Sequence, residues 1–194
     1  MYSINILYNG NYDHTFYEKF FSNIYDKVNM IKFDKDKSIP TDIDLVLFTG
    51  DGNINPKYYN EPTPKKSNHN PDRDALEKVM FNAYKSTPKL GINRGALLLT
   101  AFCGGSIVQT LNGHNCGTHE CEYSIDYLNK MLSKNNRSYN VKSNHTSMMF
   151  PYNLNEYRYS VTLVSKYYLS DTYRDGYGNE KLISNIKYFY LYSI

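Results

Sequence analysis

Tryptophan is absent from the 194-residue chain and cysteine occurs only three times. No block of one charge sign and no apolar run of bilayer length appears. Each absence excludes a class of function. The N-terminus, Met1-Tyr-Ser-Ile-Asn-Ile, lacks the basic and long apolar regions of a secretory signal, and the cysteine number is odd. That combination argues for reduced thiols and a cytoplasmic protein over a disulfide-bonded secreted one. The longest apolar stretch, Gly95 to Val108, carries Thr100 and the pair Gly104-Gly105 and is too short to cross a membrane, so a soluble protein is expected. Net charge is only +3 with the signs mixed, which gives no footprint for nucleic acid. The length suits one domain over residues 1–194, with a core that needs neither metal nor disulfide.

What the chain has in excess is tyrosine, 21 copies. Together with many Asn, Lys and Ile residues this resembles AT-rich coding sequence, a composition that also fits a virus-encoded structural or assembly component of the host cytoplasm. Tyrosines 152, 157, 159, 167, 168, 173 and 177 crowd one third of the chain, where their apolar bodies and polar tips would suit a protein interface.

Strand and helix patterns alternate through the first two thirds. Ser3 to Tyr8 reads as a strand. Phe16, Phe20, Ile24 and Val28 fall four apart and predict a helix over Thr15 to Asn29 with those residues as its apolar stripe. Ile43 to Phe48 reads as a buried strand opening into Thr49-Gly-Asp-Gly52, followed by a proline-rich loop to residue 71. Asp72 is predicted to cap a helix that buries Ala75, Leu76, Val79, Met80 and Ala83 and is ended by Pro88. Lys89 to Ile92 is a short strand and Ala96 to Val108 a helix interrupted at Gly104-Gly105. Glu122 to Ile125, Tyr139 to Ser143, Tyr157 to Ser165 and Tyr188 to Tyr192 have strand character, with turns at 133–136 and 175–179. The pattern implies an α/β sandwich on a parallel sheet, with the later strands as an antiparallel annex. In such sheets ligands bind beyond the carboxyl ends of the strands, here at Thr49 to Asn55 and Asn93 to Gly95.

Leu90-Gly-Ile-Asn-Arg-Gly95 has the form of a nucleophile elbow, a small-residue turn between strand and helix that lifts one side chain into solvent beside backbone N–H groups. The lifted residue is Asn93. Its amide is not a nucleophile at neutral pH, yet Asn tolerates the left-handed backbone that an elbow requires.

Phe48-Thr-Gly-Asp-Gly-Asn-Ile-Asn-Pro-Lys-Tyr-Tyr59, Asp72-Arg-Asp74, the elbow, Gly104-Gly105 with Gln109, His114, His119 and Ser143-Asn-His145 resemble, in order and spacing, the class I glutamine amidotransferases. The branch they resemble is the gamma-glutamyl hydrolase-like group, peptidase family C26. The resemblance runs from about Asp42 to Pro151. It implies a flavodoxin-like three-layer sandwich with a mostly parallel sheet, shortened at the C-terminus, and thioester chemistry on γ-glutamyl amides. That chemistry requires a cysteine where Asn93 stands. It also requires a pair of glycines in the oxyanion loop, where this chain has Gly50, Asp51 and Gly52, and a His-Pro-Glu sequence near the C-terminus, where only Ser193 falls at the histidine position. The family's His-Gln pair after Ser-x-His is Thr146-Ser147.

The resemblance therefore implies a degenerate enzyme that binds a small γ-glutamyl-like ligand or a protein partner, with Asn93, Arg94, Gly95, Gln109 and His145 as the binding set and no cofactor. Arg94 is also expected to pair with a carboxylate such as Asp72 or Asp74. The alternative is an active amidase or hydrolase with rebuilt machinery. Its nucleophile would be Cys103, its metal a zinc ion on His114, Cys116, His119 and Cys121, or its base would come from another chain.

Overall fold

The computed structural model describes residues 2–9, 14–50, 52–62, 68–111, 117–123, 138–143, 145–150, 153–166, 172–174, 180–182 and 189–193. Contacts divide the chain into two compact units, Met1–Asn55 with Asn68–Leu99, and Pro56–Ser67 with Thr100–Ile194.

The first unit is built on β1 (Ser3–Tyr8), α1 (Thr15–Phe21), β2 (Lys27–Lys32), β3 (Leu45–Phe48), α2 (Pro71–Ala83), β4 (Lys89–Gly91) and the start of α3 (Arg94–Phe102). Its four strands are all parallel and lie in the order β2-β1-β3-β4, with Ile6 opposite Met30 and Leu45, and Leu47 opposite Leu90. This is the strand order of a flavodoxin-like sheet, with its reversal point beside β1. Side chains alternate across each strand. Ile4, Ile6, Tyr8 and Leu47 gather with Phe21 of α1 on one face, while Leu7, Val46 and Phe48 are buried on the other.

Two expectations for this unit are corrected. The helix predicted to Asn29 stops at Phe21, and Val28 belongs to β2. Phe16, Phe20 and Ile24 are exposed, and the face that packs inward is Tyr17, Phe21 and Tyr25. Both stripes repeat every four residues, so periodicity does not separate them; the alternating segment Val28-Asn-Met-Ile31 is the strand signal. Phe20→Ala is accordingly expected to change unfolding free energy by no more than about 0.5 kcal/mol in urea titration, where a buried phenylalanine would cost about 3–5 kcal/mol.

The second correction concerns α2. Its N-cap is Asn70, whose side chain accepts from the Arg73 N–H at 3.0 Å, with Pro71 in the first helical position and Asp72 within the first turn. Met80 is buried as expected, but Ala75, Val79 and Ala83 are exposed, and the inward positions beside Met80 are Asp74 and Glu77. A hydrophobicity pattern cannot find a face that buries carboxylates.

The second unit holds the remaining strands, β5 (Ser106–Val108), β6 (Thr110–Leu111), β7 (Gly117–Tyr123), β8 (Ser138–Ser143), β9 (Met148–Phe150), β10 (Ser160–Ser165), β11 (Thr172–Arg174), β12 (Glu180–Leu182) and β13 (Phe189–Ser193). They form antiparallel sheets in the orders β13-β10-β7-β8, β12-β11-β6 and β5-β9. The antiparallel annex is thus present, and it takes in every described strand from β5 onward. The helix expected to reach Val108 ends at Phe102. Gly104 takes a φ of +91°, its N–H bonds to Ala101 O at 3.0 Å, and the Gly105 N–H bonds to Thr100 O at 2.8 Å. This glycine-capped pattern terminates a helix and releases Ser106 to β5. The turns expected at 133–136 and 175–179 lie outside the described residues. Among the described residues no helix is long and apolar enough to cross a membrane.

Candidate functional site

The elbow forms as its sequence implies. β4 ends at Gly91, and the chain turns through Ile92 and Asn93 into α3. Asn93 has a φ of +55° and is exposed. Gly95 lies so close to β3 that an added Cβ would stand 2.0 Å from Phe48 O, and a Cβ on Gly91 would stand 2.5 Å from Gly95 O. Small residues are needed on both sides of the elbow for this reason, whereas position 93 needs tolerance of a left-handed backbone. Asn93→Gly is therefore expected to leave unfolding free energy within about 0.5 kcal/mol, and Asn93→Val to cost about 1–2 kcal/mol. Chemical denaturation of the two variants side by side checks this.

The elbow is joined to the loop after β3 by main-chain bonds. The Ile92 N–H donates to Phe48 O at 2.9 Å and the Arg94 N–H to Gly50 O at 3.0 Å. The N–H groups of Gly95 and Ala96 donate to Ile92 O and Asn93 O, each at 3.0 Å. Gly50 and Gly52 both have positive φ, +92° and +89°, as the path of this loop requires. Asp51 lies outside the described residues.

Beneath the elbow sits a buried ionic cluster. Arg94 is 1% exposed, and its guanidinium donates to Asp74, to Glu77 and, at 3.3 Å, to Asn53 O. Arg73 donates from Nε to Glu77 at 2.9 Å and from Nη2 to Thr49 O. Asp74 accepts from the Asn55 N–H at 2.9 Å, and Glu77 accepts from the Asn9 side chain at 3.2 Å. Two arginines thus face two carboxylates. Burial raises the Asp74 carboxyl above its ordinary range, against the pull of Arg94 beside it and the Asn55 N–H. The expected pairing of Arg94 with Asp74 is present. Arg73 and Glu77 join it as companions that sequence reasoning missed; their signal is the Arg-Asp-x-x-Glu spacing, which sets all three on one side of a helix.

Other predicted residues belong to the second unit. Gln109 donates to Pro62 O at 3.4 Å, and its own carbonyl accepts from the Ser147 hydroxyl at 2.8 Å. Ser147 O in turn stands 2.9 Å from Nδ1 of the partly buried His145. His119 lies on β7 opposite Val141. Burial lowers the basicity of both histidines, and for His119 the proximity of His145 adds to it, so both are neutral at neutral pH. Cys121 is fully buried, two residues beyond His119, with its thiol pushed up to about 12, first by burial and then by Glu122. Cys103 follows the end of α3 and is partly buried, with Arg158 donating to its carbonyl at 3.4 Å. His114 and Cys116 lie outside the described residues, and among the described residues no three His, Cys, Asp or Glu side chains are grouped to hold a metal ion.

The order of these parts, an oxyanion-type loop, an Arg-Asp-x-x-Glu helix and an elbow, also matches a known family model. The model for peptidase C26 aligns with residues 30–162, well over half of the chain. The chain belongs to the peptidase C26 family. This C26 chain is 31% identical over 112 residues to a protein of Schizosaccharomyces pombe named "Putative glutamine amidotransferase". That alignment takes in 54% of this chain and 44% of the yeast protein, so the chain spans less than half of that relative's length. Among solved structures, a "putative GMP synthase" polypeptide from Thermoplasma acidophilum superposes with a TM-score of 0.56 at 14% identity, over 89% of this chain and 78% of that one. A glutamine amidotransferase from Thermotoga maritima superposes at 0.52 with 17% identity, over 89% and 72% of the two chains. At such identities the structures establish a shared fold, flavodoxin-like in type, for this C26 member.

Proposed function

We propose that this peptidase C26 member acts by binding, holding a small γ-glutamyl-like ligand at the elbow without cleaving it. One observation carries the reading: the exposed, left-handed elbow position, where the resembling enzymes place a nucleophilic cysteine, is filled by Asn93. A carboxamide cannot attack an amide carbonyl, but it both donates and accepts hydrogen bonds and so matches the carboxamide or carboxylate end of such a ligand. Arg94 and Gly95 support Asn93 in this reading and do not touch the ligand, because Arg94 is buried in its ionic cluster and Gly95 lies against Phe48. A protein partner is the second reading, favoured by Tyr157, which is 90% exposed in the tyrosine-rich third of the chain.

Thermal unfolding with added glutamine, glutamate or γ-glutamyl-glutamate tests the proposal. The wild type is expected to be stabilised by at least one of them, and Asn93→Ala to lose most of that shift. No shift with any of the three up to about 10 mM, or an undiminished shift in Asn93→Ala, would sink the small-ligand reading.

A further inference from the structure

An elbow catalyses acyl transfer only if backbone N–H groups beside the nucleophile remain free for the oxyanion that forms on the substrate carbonyl. In this chain they are already used. The Arg94 N–H, the one next to residue 93, donates to Gly50 O at 3.0 Å, and the N–H groups of Gly95 and Ala96 donate to Ile92 O and Asn93 O. The acceptor at the critical position is a carbonyl of the loop after β3. That loop is fastened at three points by buried charge: Arg73 on Thr49 O, Arg94 Nε on Asn53 O and Asp74 on the Asn55 N–H. Glu77 holds both arginines in place from below.

We infer that Gly50 closes the oxyanion position from within, and that Arg73, Asp74, Glu77 and Arg94 are positioning residues that hold it closed. This rests on the reading of residue 93 as the vacated nucleophile position. It goes beyond that reading, because it places a second, independent block to catalysis in residues 49–55. Restoring the thiol alone would then restore a nucleophile without restoring oxyanion stabilisation.

Two reactions of the Asn93→Cys variant separate these effects. With chloroacetamide the thiolate forms a C–S bond and expels chloride, and no charge develops on a carbonyl oxygen along the way. With p-nitrophenyl acetate the thiolate adds to the ester carbonyl, whose oxygen carries the negative charge until p-nitrophenolate departs and leaves a thioester. Wild-type protein supplies the background of the native thiols. The Ser86→Cys variant, in the exposed turn after α2, supplies an unassisted thiol. The ratio of acylation to alkylation for Asn93→Cys is expected to lie within about threefold of that for Ser86→Cys; a preference for acylation of about 100-fold or more would show an open oxyanion position and overturn the inference.

Adding Arg73→Lys, which keeps a positive charge beside Glu77 but cannot also fork to Thr49 O, is expected to raise the ratio about tenfold. A lowered melting temperature with an unchanged ratio would make Arg73 structural only and overturn its positioning role. Hydrogen exchange gives a readout in the wild type that needs no variant. The Arg94 amide should be protected, and exchange at the rate of an exposed amide would contradict the bond to Gly50. A wild type that binds γ-glutamyl ligands while Asn93→Cys acylates preferentially would defeat this inference and leave the binding function standing.

Discussion

Replacing Glu77 by leucine is expected to cost the fold about 3–5 kcal/mol. Both carboxylate oxygens are engaged: Oε1 accepts from Arg73 at 2.9 Å and from Asn9 at 3.2 Å, and Oε2 accepts from Arg94. The Glu77 side chain is fully buried, and those of Arg73 and Arg94 are 12% and 2% exposed. Leucine would leave two guanidinium groups facing Asp74 alone, in a place that water does not reach. Leaving one charge of a buried pair uncompensated costs far more than the pair itself contributes. In a chain of this length each kcal/mol moves the melting temperature by roughly 2–4 °C, so a fall of about 6–20 °C is expected in calorimetry. Asp72→Ala, one turn earlier on the exposed side of α2, should cost no more than about 1 kcal/mol, through the lost helix-terminus charge. A Glu77→Leu protein that melts with the wild type would show that the cluster does not hold the elbow.

Gly95→Ala should be at least as damaging, by a different route. The added Cβ would stand 2.0 Å from Phe48 O and 2.4 Å from the carbonyl carbon. Both atoms belong to the backbone of β3, which is paired on two sides, by β1 and β4, so no side chain can rotate away to make room. Either α3 lifts from the sheet or β3 shifts in its ladder, and each breaks the bonds that join Ile92 to Phe48 and Arg94 to Gly50. An overpacked site of this kind is expected to cost about 3 kcal/mol or more, the upper end for small-to-large changes, and the variant should be recovered mainly as insoluble protein. Gly117→Ala is the contrast. A Cβ there meets nothing within 4 Å, so only its φ of +89° resists the change, at about 1–2 kcal/mol. Equal recovery and equal melting temperatures for the two variants would refute the close approach at Gly95.

The legible parts of the fold are those where one local rule acts alone. Ser3–Tyr8 and Leu45–Phe48 are apolar, β-rich and bounded by turns, and both are strands. The elbow is legible down to the backbone of Asn93, because a strand-to-helix turn with glycines on either side restricts the residue between them. Elsewhere two rules compete. Residues 15–32 carry a four-residue repeat that runs on past the end of α1, and the alternation from Val28 that starts a strand overlaps it, so the sequence reads as one helix where the chain forms a helix and a strand. On α2 the aliphatic residues mark the wrong side, because its buried side is chosen by Arg94, which lies 17 residues beyond Glu77 in sequence. The bond from the Arg94 N–H to Gly50 is not legible at all. It depends on the path of a loop, and a main-chain carbonyl carries no residue-specific signal.

The decisive measurement is turnover by the wild-type protein. L-glutamine and γ-glutamyl-p-nitroanilide would be incubated with it, with and without prior alkylation of its thiols, and ammonia or p-nitroaniline release would be followed. Release no faster than in buffer, unchanged by alkylation and the same for Asn93→Ala, is the outcome a binding protein requires. Release above buffer that alkylation abolishes, or that Asn93→Ala removes, would contradict it and return this C26 member to the enzymes.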